Sequence, residues 1–473
     1  MTESFDAVVV GSGPNGLAAA ITLAQKGLSV QVMEAEPTMG GGTRSAELTL
    51  PGFVHDICSA IHPLALGSPF FRTLPLDAHG LELLQPKVAL AHPLDGGHAV
   101  ALEVEIARTA THLGRDGDEY VKLMSPLVKT YADLLEQFLG PLRPPRHPIT
   151  TGRFSIQAIR SAKGIASRFQ DDEARALLGG VAAHSILPLD RLATGGFGLV
   201  LAVLGHAVGW PVVKGGSQNL AEAMRSLLES LGGQVVTDRR VRTLNDLPQH
   251  RAALLDLGPR QLESIAGDRL PKPYLHLLRR YRYGPSVFKV DWALDGPVPW
   301  KSRLCRDAGT VHLGGTFEQI AASERAVWEG GHVDRPYCII AQQSLPDPSR
   351  APEGKHTLWG YCHVPNGYPK DMTGAIEDQV ERAAPGFKDL ILARATRSPA
   401  DLERENANYV GGDINGGVQD IFQLFTRPVP RINPYSTPIE GLYLCSSSTP
   451  PGGGVHGMCG HFAARSAIKK HFS

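Results

Sequence analysis

Ala7-Val8-Val9-Val10, followed at once by Gly11-Ser12-Gly13-Pro14-Asn15-Gly16, constrains this chain more than any other feature. Four apolar, β-prone residues read as a strand buried in a parallel sheet. In the turn that follows, Gly11 permits the tight bend, Gly13 lets backbone approach a pyrophosphate, and Gly16 lets helix and strand pack closely. Leu17, Ala20, Ile21 and Ala24 then recur at helical spacing, and Gly27 ends the helix. Its N-terminus offers free N–H groups and a positive dipole end to phosphates. Val30 and Val32 begin a second strand that Glu34 closes. A carboxylate there can accept hydrogen bonds from both ribose hydroxyls and would repel a 2′-phosphate, which argues against NADP. Gly11, Gly13, Pro14, Asn15, Gly16, Glu34 and the adjoining Ala35 are therefore the candidate dinucleotide cradle.

The bulk composition excludes several function classes. Lys+Arg and Asp+Glu both number 47, so the chain has no electrostatic footprint for nucleic acid. Its six cysteines, at 58, 305, 338, 362, 445 and 459, show neither a redox-pair nor a zinc-knuckle spacing, and no metal is expected. Free thiols and the absence of a leader sequence give a cytoplasmic expectation, with peripheral membrane contact left open. Residues 192–213 carry no acid, Lys or Arg, but Gly195, Gly196, Gly198, Gly205, Gly209 and Pro211 interrupt them. They read as a buried helix beside a hydrophobic cavity rather than as a membrane span.

Along the chain, 118–138 reads as one amphipathic helix and 141–148 as a basic, proline-rich surface loop. From 211 the pattern of the first segment resumes. Lys214-Gly215-Gly216 precedes a helix at 218–231, and strands follow at 234–237, 241–244 and 252–257. Mixed α/β signals continue over 265–425, with strands at 287–294, 337–342 and 356–364. At the far end Leu442-Tyr443-Leu444-Cys445 runs into Pro450-Pro451-Gly452-Gly453-Gly454-Val455 and a final helix near 461–470. This is a second strand, glycine turn and helix.

The two ends together resemble the phytoene desaturase and carotenoid isomerase group of FAD-dependent proteins. Within it they resemble the phytoene dehydrogenase-related proteins, some labelled pyridine nucleotide-disulfide oxidoreductase domain proteins. The wider fold resembles the amine oxidases. The motifs behind the resemblance are 11–16 with Glu34, Gly40-Gly41, Gly52-Phe53 with Asp56, Gly215-Gly216, Val241 and the stretch 442–460. The resemblance implies an α/β architecture: a Rossmann-like FAD-binding domain from 1–74, 211–264 and 426–473, and a discontinuous mixed α/β substrate domain from 75–210 and 265–425. It implies non-covalent FAD, with Glu34 at the adenosine ribose, Val241 at adenine, Gly41, Gly42 and Arg44 near phosphate, and Gly453, Gly454 and Val455 at the isoalloxazine. The sequence departs from its relatives at Gly42, where many carry Arg, and at Ser446-Ser447-Ser448, where many carry Gly-Ala-Gly.

Flavin dehydrogenation asks the protein mainly for orientation and electronics, so no catalytic triad is required. No GxSxG motif accompanies the serine run, which argues against a hydrolase. His456 is the candidate catalytic residue, since histidine titrates near neutrality and can move protons. His55, Asp56, His62, Phe197 and Trp210 are candidates for the substrate pocket. The implied function is oxidation or desaturation of a hydrophobic, polyene or isoprenoid-like small molecule, with O2 or a quinone as electron acceptor. Two alternatives stay open: a flavin-dependent, redox-neutral isomerase, and a flavin-containing interaction protein with little turnover.

Overall fold

The computed structural model describes residues 4–473. Among these, the strand Ala7–Val10 is the centre of a five-stranded, all-parallel sheet. Its neighbours are Val30–Met33 on one side and Ala252–Leu255 on the other. Gln234–Val236 and Leu442–Leu444 form the edges. All four residues of each of the three central strands are buried, as a sheet covered on both faces requires. Segments more than 400 residues apart in sequence thus share one sheet, with Leu254 paired to Val9 and to Tyr443.

Helices Pro14–Ala24, Gln218–Ser230 and Met458–His471 cover one face of this sheet through a common apolar core. A second sheet, mixed and seven-stranded among the described residues, draws strands from Val88–Pro93 and Ala99–Leu102 and from five stretches between Ser286 and Arg397. Helices Asp172–Ala182 and Thr194–Ala207 pack beside it, together with Gly117–Lys129. Thr194–Ala207 falls within the acid-free stretch 192–213 and is buried inside the protein. No helix of the described residues is long and apolar enough to cross a membrane.

Three local expectations need correction. Residues 118–138 form two helices, Gly117–Lys129 and Tyr131–Phe138, because the chain leaves helical geometry at Thr130 (φ −116°, ψ 20°). The apolar stripe nevertheless runs through both pieces, with Tyr120, Leu123, Leu127, Leu134 and Leu135 buried. Pro148 is not loop: it opens the helix Pro148–Ala158, where its missing N–H costs nothing. Residues 241–244 are not a strand. Thr243 instead caps a short 3-10 turn, Leu244–Asp246, through reciprocal side-chain bonds with Asp246.

Candidate functional site

The glycine turn is held by its own neighbours. Gly11 donates its N–H to the Met33 carbonyl at 2.8 Å. Ser12 donates both its N–H (2.9 Å) and its hydroxyl to Oε2 of Glu34, and Glu36 donates its N–H to Oε1 at 3.0 Å. The carboxylate of Glu34 is therefore fixed in direction at the strand end, and its oxygens keep lone pairs for further donors. A side chain on Gly16 would place its Cβ 2.1 Å from the Gly11 carbonyl oxygen, so the turn closes only around glycine there.

Asp256, at the end of Ala252–Leu255, was not anticipated. Its Oδ2 accepts the N–H of Gly16 at 2.9 Å, and a Cβ on Gly13 would meet the same oxygen at 2.7 Å. Burial pushes this carboxyl up to about 7 against the opposing pull of the Gly16 N–H, and the nearby charge of Glu34 adds to the rise. Pro14 brings no N–H and that of Gly16 is taken, so the helix start offers fewer free donors than the sequence suggests.

These groups line a cavity of about 420 Å³. Glu34, Ala35, Glu36, Arg240 and Val241 stand around one part of it. Gly11, Gly13, Pro14, Asn15, Gly41, Gly42 and Arg44 line it as well. The loop bearing Gly41 is tied to the glycine turn, since Gly40 donates its N–H to the Ser12 hydroxyl at 3.1 Å. Arg44 donates from Nε to the Gly41 carbonyl (3.0 Å) and from Nη2 to the Glu405 carbonyl (2.9 Å). The same cavity takes in Trp359 and Tyr361 from the second sheet.

A second cavity, of about 470 Å³, is lined mainly by apolar side chains, among them Leu134, Phe138, Phe154, Phe197, Val200 and Leu201. His62, Gly453 and His456 also line it. Ile61, His184, Trp210, Gly454 and Val455 border both cavities, so the two meet at these residues.

Two candidates for the pocket fall outside both cavities. Asp56 is fully buried in an ion pair with Arg350 (2.5 Å) and accepts the Ser217 N–H and the Ser45 hydroxyl, each at 2.8 Å. Burial raises its carboxyl, but Arg350 and these donors outweigh that and hold it below the ordinary range. His55 bonds the Thr49 hydroxyl at 2.8 Å, and burial, then the Lys289 charge, push it down to about 3. Both residues are structural, joining the small Ser45–Glu47 and Val54–Asp56 sheet to the core. His62 does reach the apolar cavity, where it bonds the Ser217 hydroxyl at 2.8 Å. The expected titration of His456 near neutrality is also overturned. Burial pushes it down to about 4, and its Nδ1 accepts the Met458 N–H at 3.1 Å.

The sequence reading missed His184, Asp256 and the segment 404–409, all on the first cavity's wall. A lone histidine in an apolar run, or an acid after a strand, carries no pattern that separates it from a packing residue.

Residues 9–72 match the family model of the NAD(P)-binding Rossmann-like domain. Over 98% of its length the chain is 27% identical to the mouse (Mus musculus) pyridine nucleotide-disulfide oxidoreductase domain-containing protein 2, covering 93% of that protein. It is 26% identical to the all-trans-zeta-carotene desaturase of Myxococcus xanthus, over 95% of this chain and 90% of that one. The fold superposes on that of putrescine oxidase with a TM-score of 0.62 at 18% identity, over 99% of both chains. The chain is an oxidoreductase with a Rossmann-like dinucleotide-binding domain, similar over nearly its whole length to a carotenoid desaturase. Its first cavity lies where that assignment calls for a dinucleotide, at the carboxyl ends of the parallel strands. The donor set fits one: a directed carboxylate for ribose hydroxyls, close-approach glycines, and an arginine beside them.

Proposed function

We propose that this oxidoreductase holds FAD non-covalently in the first cavity and oxidises or desaturates a hydrophobic, polyene or isoprenoid-like molecule in the second. The observation behind this reading is the meeting of a dinucleotide-type cavity and an apolar cavity at Trp210, Gly454 and Val455. When bound, FAD would accept a hydride or electrons from the substrate. The chain's residues bind and orient. Glu34 accepts from ribose hydroxyls and Val241 packs beside adenine. Gly11, Gly13, Asn15, Gly41, Gly42 and Arg44 surround the pyrophosphate, and Gly453, Gly454 and Val455 the ring system. In this reading 1–74, 211–264 and 426–473 form the cofactor domain, and 75–210 with 265–425 the substrate domain.

Non-covalent attachment is supported by Cys459. Its thiol lies outside both cavities, contacting the Thr449 and Gly452 carbonyls at 3.4 and 3.5 Å, and burial pushes it up to about 11. His62, Phe197 and Trp210 would contact substrate, and His456 would stand beside it as a neutral ring.

The apolar cavity's surroundings support peripheral contact with a membrane. Helices Pro148–Ala158 and Ile421–Thr426 both line it and turn Ile149, Ile156, Phe422 and Phe425 to solvent. Exposed basic residues, Arg153 and Lys163, stand nearby in the chain. Exposed apolar side chains with basic residues close to them in the chain suit the interface of an anionic bilayer. A hydrophobic substrate would then reach the cavity without crossing water.

The test is to precipitate purified yellow protein with acid and identify the released flavin and any co-extracted lipid. Anaerobic addition of the extracted compound should bleach the flavin. An intact flavin spectrum together with an isomerised compound would select the redox-neutral alternative, and neither change would select an interaction protein. Re-oxidation rates with O2 and with a soluble quinone would identify the acceptor.

A further inference from the structure

His456 lies on the wall of the apolar cavity, in the turn before the closing helix Met458–His471. The residue is buried and held at two points. Its carbonyl accepts the Ser68 hydroxyl at 2.6 Å, and its ring Nδ1 accepts the Met458 N–H at 3.1 Å. The other ring nitrogen, Nε2, is buried and has no hydrogen-bond partner among the described residues. The Nε2 edge of the ring faces Gly454: Cδ2 and Nε2 stand 3.3 and 3.8 Å from the point where a Cβ on that glycine would lie. Gly454 borders both cavities, so the orphaned nitrogen sits beside the place where they meet. Leu64, on the same wall of the apolar cavity, packs against this point too.

The proton on this ring can be placed from its observed bonds. Burial pushes His456 down to about 4, so the ring is neutral at pH 7. The carbonyls of Gly452 and Gly453 oppose that shift from nearby, without reaching hydrogen-bond geometry on Nε2. A neutral imidazole has one N–H and one lone pair. A backbone N–H can only donate, so the lone pair on Nδ1 is committed to Met458 and the ring's N–H is on Nε2. His456 thus has no lone pair free to take up a proton. It offers a donor instead, and a buried N–H without an acceptor is costly.

We infer that His456 donates a hydrogen bond from Nε2 to the ligand of the apolar cavity, and that this ligand carries an acceptor oxygen, as a carbonyl or hydroxyl group, at its end beside Gly454. The substrate is then an oxygen-bearing apolar molecule rather than a pure hydrocarbon. This rests on the proposed reading of the apolar cavity as the substrate's. His456 is the specificity-determining residue, and the Met458 N–H sets its tautomer.

The test uses the FAD-loaded protein and two probes with the same apolar body, 2-undecanone and undecane. Binding is followed by tryptophan fluorescence, since Trp210 borders both cavities. Ring ¹⁵N NMR of histidine-labelled protein should show His456 protonated on Nε2, its signals identified by their loss in His456→Gln. The ketone should shift the Nε2–H signal and the alkane should not. This is read on the unaltered protein, whether or not a variant folds. The ketone's affinity relative to the alkane's should fall about three- to tenfold in His456→Leu, the range of one net hydrogen bond. His456→Gln, whose amide N–H can take the place of Nε2–H, should restore part of it. A ring protonated on Nδ1, an Nε2–H signal unmoved by bound ketone, or an equal loss for both probes in His456→Leu would overturn the role of His456. Failure of both probes to bind would overturn the apolar cavity as the substrate site, and the ligand assignment with it.

Discussion

Gly460 lies against the carbonyl of Asn15: a Cβ built on Gly460 would stand 1.8 Å from that oxygen. The helix that closes the chain thus packs directly on the first turn of the helix that follows the glycine motif. This contact places the C-terminal 452–455 turn and the N-terminal 11–16 turn around one cavity. Gly460→Ala should push the two helices apart. The expected loss is about 1–3 kcal/mol, the usual range for overpacking a core. Urea unfolding measures it, and flavin retained through gel filtration should fall alongside it.

Glu34→Ala should weaken FAD binding by about 1.5–3 kcal/mol, as for hydrogen bonds to a charged group. Glu34→Gln keeps one oxygen, but the carboxylate accepts N–H groups on both of its own, from Ser12 and from Glu36. The amide must turn its NH2 toward one of these donors. Calorimetric titration of FAD into the apo-proteins should therefore rank Gln close to Ala. A glutamine variant with unaltered affinity would show that Glu34 serves only as a strand-end acid.

The pH dependence of stability should carry a signature of Asp256. Its carboxyl is raised from 3.8 to about 7 in the folded chain. Between those values the folded state holds a proton that the unfolded state has released. Stability therefore falls as pH rises through that window and levels off above about 7. Asp256→Asn keeps an oxygen for the Gly16 N–H and removes the titration. Its advantage over the unaltered apo-protein should grow from pH 4 to 7, by at most about 1.4 kcal/mol per pH unit. The buried histidines titrate in both proteins and cancel in the difference. Parallel urea curves at pH 5 and 8 decide it.

Ile149→Asp combined with Phe422→Asp should reduce co-sedimentation with anionic phospholipid vesicles by about tenfold, given the transfer energy of such side chains. Both residues are exposed, at 72% and 77%, so the variant should keep its fold and thermal midpoint. Binding unchanged by the two charges would remove the proposed membrane face.

The dinucleotide half of the fold was legible in the sequence because its signals are local. A strand, a glycine turn, a helix and a strand-end acid lie within 7–34, each with a backbone reason to be there. The same holds for the C-terminal strand and glycine turn, and for the strand at His356–Val364. What only the tertiary structure decided is which distant residues stand together. Asp256 reaches Gly16 across 240 positions, and His184 reaches His312 across 128. Asp56, adjacent in sequence to a cavity-lining segment, turns instead to Arg350, 294 positions away. Periodicity and turn chemistry act over a few residues, so they fix elements. Desolvation and charge pairing act through space, so whether a buried acid or histidine is structural or faces a cavity is settled only when the sheets and helices are packed.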